Sequence, residues 1–357
     1  MSSSFVRVNV LYSRTAAGIC NPYLCCQLVK AHRLGGEARV EDVVGRVLVH
    51  DLGPDLRKGT VLTAEHLSRV QQAGDVHVVE LEPGDVHEDA AALRLAAALA
   101  GPGLEAQRPV QSQTRLKAAY RGLVRVRADL VDAINALGYI SVFTLMDGQA
   151  VAEGEEVAGC KVTPVAVPGH LIAHVEQMCR EKGPVVELLP FQPLRTFVVA
   201  TERLKPKARD LFRAAVTAKL GWYGAELLAV REVARTDEAV AAAYREAEDL
   251  QAQLVLFAGA SAIDPLDPAY AELTRAGGHL LQLGAPMHPG SMLWLGRLGE
   301  AAVVGVASCA GFGRSSSLDL LLPFVFAYGR AGAGDLLRLG HGGLIESAAG
   351  RRFPPYS

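Results

Sequence analysis

Three groups of small and polar residues in the last third of the chain have the composition of an anion-binding site. The first contains Gly259 and Ser261 and is followed by Asp264 and Asp267; the second is the Pro289-Gly290 pair. Glycine lets a ligand approach the backbone N–H groups, while hydroxyl and guanidinium groups donate hydrogen bonds to anionic oxygens. The third group is the longest: Ser308, Gly311, Gly313, Arg314, Ser315, Ser316 and Ser317.

The run from Gly311 to Ser317 precedes an apolar stretch that predicts the last helix of the domain. A helix N-terminus carries unpaired N–H groups and a positive partial charge, so these residues can hold a phosphate. The same serines can instead cap the helix, with Asp319 in its first turn. The sequence leaves both interpretations open.

Asp264 and Asp267 flank Pro265, and carboxylate oxygens are the ligands that a hard divalent cation prefers. Alternatively, Asp264 belongs to a turn and Asp267 caps a helix whose first residue is Pro268. The Pro289-Gly290 pair allows either a ligand-facing loop or a structural turn. Both pairs of alternatives stay open at the level of sequence.

Strand-like and helix-like segments alternate from residue 195 onward. Apolar runs at 196–201, 225–233 and 253–259 predict strands, amphipathic runs between and after them predict helices, and three further strands are predicted at 279–283, 292–297 and 302–307. This alternation predicts a mainly parallel sheet with helices on both faces. Thr201 and Glu202 end the first strand, where a ligand crevice is expected.

The preceding part of the chain has a different texture. Residues 39–190 predict a mixed, β-rich α+β region, with a strand within residues 39–53, helices at 90–101 and 171–181, and further strands across 110–167. The predicted fold class is therefore α/β: a C-terminal three-layer α/β/α domain at 191–330, after an α+β region at 39–190. Residues 1–38 are predicted as an N-terminal extension and 331–357 as a tail.

The composition excludes several functional classes. The 36 basic and 38 acidic residues give a net charge of −2, and without a basic run neither nucleic acid nor an anionic membrane is an expected partner. The chain contains no apolar run of membrane-spanning length, and its first apolar run carries Arg7 and Arg14, so a cytoplasmic protein is expected. No P-loop, nucleophile elbow or dinucleotide-binding fingerprint occurs.

The six cysteines lie at 20, 25, 26, 160, 179 and 309, with no spacing typical of a zinc site. Buried or unreactive thiols are the prediction, and a soft-metal site at Cys20, Cys25 and Cys26 stays open.

The ordered motifs resemble the molybdopterin-binding domain shared by molybdopterin molybdotransferases, gephyrin and related proteins. They read Ala258-Gly259-Ala260-Ser261 with Asp264 and Asp267, then His288-Pro289-Gly290, then Ala307-Ser308-Cys309-Ala310-Gly311. Residues 59–79 are similar to a region upstream of the same site in those enzymes, and the resemblance covers about residues 40–345.

The resemblance implies molybdopterin or the molybdenum cofactor as ligand, with Pro289 and Gly290 near the pterin and the 311–317 run at the phosphate. It implies Mg²⁺ and molybdate at Asp264 and Asp267 as catalytic and metal-binding residues, a homodimer, and a molybdoenzyme as a further partner. The usual glycine is missing from Ala200-Thr201-Glu202-Arg203. This favours cofactor binding or delivery over molybdate insertion, with a non-catalytic dimerising scaffold or molybdoenzyme chaperone as the alternative.

Overall fold

The computed structural model describes residues 29–202, 204–307, 315–330 and 332–345. The chain divides into two compact units. Unit 1 takes the described residues of Met1–Ala119, Val126–Leu145 and Gly154–Glu187, and unit 2 takes those of Tyr120–Arg125, Met146–Glu153 and Leu188–Ser357. The four-segment division expected from the sequence stays a prediction.

Unit 1 is a mixed α+β structure with three small antiparallel sheets. Their orders are β1-β3-β2, β5-β6-β10-β8 and β11-β4. The strands are β1 (Lys30–Leu34), β2 (Val47–Leu48), β3 (Val76–Glu80), β4 (Asp85–His87), β5 (Leu104–Ala106), β6 (Gln113–Ala118), β8 (Ile140–Thr144), β10 (Glu156–Val162) and β11 (Ala166–Pro168).

The described residues of unit 1 also form a 3₁₀ helix (Ala64–His66) and five α-helices: α1 (Val40–Val43), α2 (Leu67–Ala73), α3 (Glu88–Leu99), α4 (Ala128–Asn135) and α5 (Gly169–Lys182). The predicted helices at 90–101 and 171–181 are confirmed as α3 and α5. The strand expected within 39–53 is wrong in its first part, where α1 forms, and only β2 is a strand in this range. The β-rich stretch at 110–167 also contains α4, which buries Leu130 and Ile134 one helical turn apart.

Three further strands form a separate sheet in the order β12-β7-β9, and most of their residues belong to unit 2. They are β7 (Gly122–Val126), β9 (Ala150–Val151) and β12 (Val186–Pro190).

The main sheet of unit 2 has six strands in the order β14-β13-β15-β18-β17-β16. β13 pairs in parallel with β14 and β15, and β15 with β18, whereas β17 runs antiparallel to both of its neighbours. The mainly parallel sheet predicted from the alternation is thus confirmed. The bounds are β13 (Arg195–Ala200), β14 (Glu226–Glu232), β15 (Leu254–Ala258), β16 (His279–Leu283), β17 (Trp294–Leu298) and β18 (Ala301–Val306).

Helices cover both faces of this sheet, because successive strand residues point to opposite sides. Val198 and Leu256 face one layer, which contains α6 (Pro206–Trp222), α9 (Ser317–Tyr328) and α10 (Ala333–Arg338). Phe197 and Phe257 face the other layer, made of α7 (Asp237–Asp249) and α8 (Pro268–Arg275). Within the described ranges, no helix is long and apolar enough to cross a bilayer.

Candidate functional site

The strand order reverses next to β13, between the carboxyl ends of β13 and β15. After β13 the chain forms β14 on one side and then returns to form β15 on the other. Ala200 and Ala258 are register partners at the ends of these strands, and the Thr201 N–H donates to the Ala258 carbonyl over 2.9 Å. Such a reversal is where open α/β sheets bind ligands.

Gly259 continues this edge in a conformation that favours glycine. Its φ is +92°, and a Cβ atom there would lie 2.6 Å from Cγ of Glu202. Its N–H donates to the Val306 carbonyl at the end of β18 over 2.9 Å. The ends of three parallel strands therefore meet, with Thr201 buried and Glu202 exposed at their edge.

The loop between β16 and β17 closes over the same edge. The Ala262 N–H, next to the half-buried Ser261, donates to the Met292 carbonyl over 2.9 Å. At the other end of the loop, the Ser317 hydroxyl donates to the Gly290 carbonyl over 2.7 Å, and the Ser317 N–H donates to the Pro289 carbonyl over 3.1 Å. The predicted residues at the ends of β13 and β15 and in the loop thus lie along one edge of the sheet, next to the end of β18.

At the start of α9, the hydroxyls and N–H groups of Ser316 and Ser317 have partners within the protein. The Ser316 N–H and hydroxyl donate to Oδ2 of Asp319 over 2.8 and 3.3 Å, which forms a capping box. Asp319 in turn pairs with Lys219 of α6, Nζ to Oδ1 2.8 Å, and the two side chains are 0% and 5% exposed. Ser316 and Ser317 are buried in these contacts, and Ser315 stands exposed ahead of them.

Four of the predicted ligand-binding residues lie outside the described part of the chain: Ser308, Gly311, Gly313 and Arg314. The cysteines at 20, 25, 26 and 309 lie outside it as well. Of the two described cysteines, both are buried, and burial raises the pKa of the Cys160 thiol to about 12.

The acidic turn after β15 is organised around Arg235, which follows β14. Asp267 is fully buried and caps α8, since its Oδ1 accepts the Ala269 N–H over 2.9 Å; its Oδ2 pairs with Nη2 of Arg235. Asp264 is half-exposed, accepts the Leu266 N–H on Oδ1 over 3.0 Å, and has its Oδ2 3.7 Å from the same Nη2. The helix-cap interpretation of Asp267 is therefore what the geometry shows.

These carboxylates do not assemble a magnesium site in the arrangement seen. Nη2 of Arg235 pairs with Oδ2 of Asp267 and lies 3.7 Å from Oδ2 of Asp264, and both Asp267 oxygens have partners. Among the described residues, no group of three or more His, Cys, Asp or Glu side chains is placed to hold a metal ion. The predicted metal and catalytic roles of Asp264 and Asp267 stay predictions.

Tyr270 of α8 lies beside this turn and is absent from the sequence-based set. Its ring packs edge-on against Trp294, 5.8 Å between centroids, and Trp294 donates from Nε1 to the Ala260 carbonyl. Burial raises the pKa of its phenol, and the carboxylates of Asp267 and Asp264 act in the same direction. A tyrosine near the start of a helix gives no pattern in a sequence, and only the turn geometry connects it to the acids.

No protein-family model and no curated protein matches this chain. It is similar to solved structures of molybdopterin biosynthesis proteins. The moea protein from Pyrococcus horikosii is 14% identical, with 71% of this chain and 79% of that one covered at a TM-score of 0.27. MoaB from Thermus theromophilus is 15% identical, with 37% of this chain and 91% of that one covered at a TM-score of 0.28.

A molybdopterin biosynthesis protein from Mycobacterium abscessus is 16% identical, with 39% of this chain and 95% of that one covered at a TM-score of 0.26. Scores this low carry no argument about what this chain binds.

Proposed function

We propose that unit 2 binds molybdopterin or the molybdenum cofactor at the carboxyl edge of its sheet, and that the protein takes part in the maturation or delivery of this cofactor. The observation that carries the proposal is the continuous edge linking Thr201, Gly259, Ser261 and the Pro289-Gly290 loop through backbone hydrogen bonds. Strand-end turns of this kind present N–H groups and hydroxyls to a phosphorylated ligand.

The phosphate end of the ligand is assigned to Ser315, because Ser316 and Ser317 already have internal partners. Ser315 is exposed immediately before α9, where the positive end of the helix favours an anion. We also assign residues 311–314 to the phosphate, because the resemblance to the molybdopterin-binding domain places the 311–317 run there.

Delivery or storage fits the described residues better than molybdate insertion. An enzyme would require Mg²⁺ at Asp264 and Asp267, and Arg235 lies against both carboxylates in the present arrangement. Insertion is tested by following molybdenum transfer with and without Mg²⁺. An Asp267→Asn variant as active as the parent would remove this carboxylate from the reaction.

A second candidate is a non-catalytic scaffold or molybdoenzyme chaperone that keeps the fold without the cofactor. The internally satisfied start of α9 is the observation that favours it, since a helix end with capped N–H groups offers fewer donors to a phosphate. A homodimer and a molybdoenzyme partner belong to both candidates. Sedimentation tests whether the protein is a homodimer. Co-purification with a reconstituted molybdoenzyme tests whether it binds such an enzyme.

Equilibrium binding of molybdopterin under anaerobic conditions separates the two candidates. We expect micromolar or tighter binding by the full chain, weakened at least about ten-fold by Ser315→Glu, because a carboxylate repels the phosphate. Thr217→Glu places the same charge on an exposed position of α6 and serves as the matched control. If the parent protein does not bind molybdopterin, the non-catalytic scaffold or chaperone is the candidate that is retained.

A further inference from the structure

The turn that leads into α8 contains a buried hydroxyl with no partner. Tyr270 is 8% exposed, and its hydroxyl oxygen has no hydrogen-bond partner among the described residues. The Asp267 N–H lies near this oxygen but donates to the Asp264 carbonyl over 3.1 Å. Burying a hydroxyl without a partner costs free energy, and such a group in a folded protein calls for an explanation.

Asp264 offers a complementary acceptor in the same turn. Its Oδ1 accepts the Leu266 N–H, whereas Oδ2 lies 3.7 Å from Arg235, beyond hydrogen-bond distance. The side chain is half-exposed, so this oxygen is accessible to a ligand. The turn thus has an unused donor, Tyr270, and an incompletely used acceptor, Asp264.

Apolar side chains flank these polar groups on the surface. Ile263 is 70% and Leu266 is 84% exposed, and Met292, joined to the turn through the Ala262 hydrogen bond, is also exposed. Exposed apolar residues grouped beside a polar site are typical of a ligand surface. A flat ring with a polar edge can contact both the apolar side chains and the polar groups.

The local charge narrows the ligand class. The carboxylates of Asp264 and Asp267 and the guanidinium of Arg235 together carry a net charge of −1. This charge disfavours an anionic ligand group at the turn. A neutral heterocycle that donates two N–H groups to a carboxylate and accepts from a hydroxyl meets these conditions.

We infer that Asp264 and Tyr270 recognise the 2-amino-4-oxopyrimidine edge of a pterin, with Asp264 accepting from the ring N–H and amino groups and Tyr270 donating to the oxo group. This inference rests on the proposed function and assigns the ring end of the ligand, separate from the phosphate end at Ser315. Guanine carries the same edge, so a guanine nucleotide is the other source of this chemistry.

Fluorescence titration with neopterin, which has no phosphate, tests the assignment on the full chain. We expect saturable binding, weakened at least about ten-fold for lumazine, in which an oxo group replaces the 2-amino group and leaves the carboxylate without that donor. Guanosine and inosine, which differ in the same amino group, form the second arm of the experiment.

Two variants separate the polar contacts from the fold. In Asp264→Asn the side-chain carbonyl can still accept the Leu266 N–H, so the turn is kept, while the charge and the second acceptor are lost; we expect about a ten-fold loss of neopterin affinity. Tyr270→Phe removes one neutral hydrogen bond and should weaken binding about three-fold, with the lumazine-to-neopterin ratio unchanged. Asp249→Asn, an exposed position at the end of α7, is the matched control.

Equal neopterin affinity in Asp264→Asn and the parent would overturn the inference, as would failure of the parent to bind either neopterin or guanosine. If guanosine binds and neopterin does not, the edge recognition holds for guanine alone, and the molybdopterin assignment is contradicted. If Asp264→Asn has no effect while Ser315→Glu still weakens molybdopterin binding, the ring assignment fails and the proposed function stands.

Discussion

Two neighbouring parts of the sheet edge treat their polar groups in opposite ways. At the start of α9, the Ser316 and Ser317 hydroxyls and N–H groups have protein partners, and Asp319 is neutralised by Lys219. In the turn after β15, Tyr270 keeps a hydroxyl without a partner among the described residues, and Asp264 is half-exposed. The helix start uses its polar groups within the protein, whereas the turn keeps a donor and an acceptor that the described residues leave incompletely used.

The largest expected effect is on stability at the helix start. Lys219→Met leaves the carboxylate of Asp319 buried without its cation, which should lower the free energy of unfolding by about 3 kcal/mol. Urea unfolding measures the change. Lys207→Met removes an exposed lysine from the same helix and should change stability by less than about 0.5 kcal/mol. Equal effects of the two substitutions would contradict the stabilising role of the buried pair.

Gly290→Ala should have the next largest effect. The added Cβ would lie 2.2 Å from Oγ and 2.7 Å from N of Ser317, and φ at Gly290 is +107°. We expect a loss of about 2 kcal/mol, since both a clash and backbone strain arise. Gly277→Ala shares a positive φ of +85° but has open space around the added atom, so about 1 kcal/mol is expected from strain alone. A larger loss at Gly277 would show that the contact with Ser317 is unimportant.

In the acidic turn, we expect a substitution to change neopterin affinity and to leave the free energy of unfolding nearly unchanged. Leu266→Ser removes an apolar side chain that is mostly exposed, so the free energy of unfolding should change by less than about 0.5 kcal/mol. Neopterin affinity should fall about three-fold, because the ring loses apolar contact. Leu211→Ser on α6 is the exposed control and should leave affinity unchanged. If Leu266→Ser lowered stability and left neopterin affinity unchanged, the turn after β15 would behave like the start of α9, and the contrast between the two regions would be wrong.

The smallest expected effect concerns metal removal. Since Arg235 already lies against Asp264 and Asp267, EDTA should change neopterin affinity less than about two-fold. Repeating the titration with added Mg²⁺ completes the measurement. Tighter binding on Mg²⁺ addition, lost in Asp267→Asn, would show instead that the metal displaces the guanidinium.

Much of unit 2 could be predicted from periodicity. Long amphipathic runs predicted α6 and α7, and apolar runs predicted the strands, because burial on both sheet faces imposes these patterns. Strand direction needed a further clue: only Gly299 and Glu300 separate β17 from β18, too few residues for a parallel crossover. In unit 1 the short helices α1 and α4 were not predicted, because apolar and polar residues alternate there as they do in a strand.

The strand-end positions of the predicted residues followed from the sequence, whereas the partners of the side chains around them did not. Strand-end positions such as Thr201 and Gly259 follow from the sheet pattern, and both lie at the expected edge. Lys219 and Asp319 are 100 residues apart, and Arg235 and Asp267 are 32 apart, so their ion pairs depend on packing that no local pattern reports. The lack of a partner for the Tyr270 hydroxyl among the described residues is likewise set by the packing around it, so the sequence could not predict it.

Anaerobic titration of the full chain with molybdopterin is the most direct test of cofactor binding in unit 2. Saturable binding at micromolar or lower concentration, weakened by both Ser315→Glu and Asp264→Asn and unchanged by Thr217→Glu, is the predicted result. Failure of the parent protein to bind at any accessible concentration, or equal affinity in all four proteins, would contradict the account.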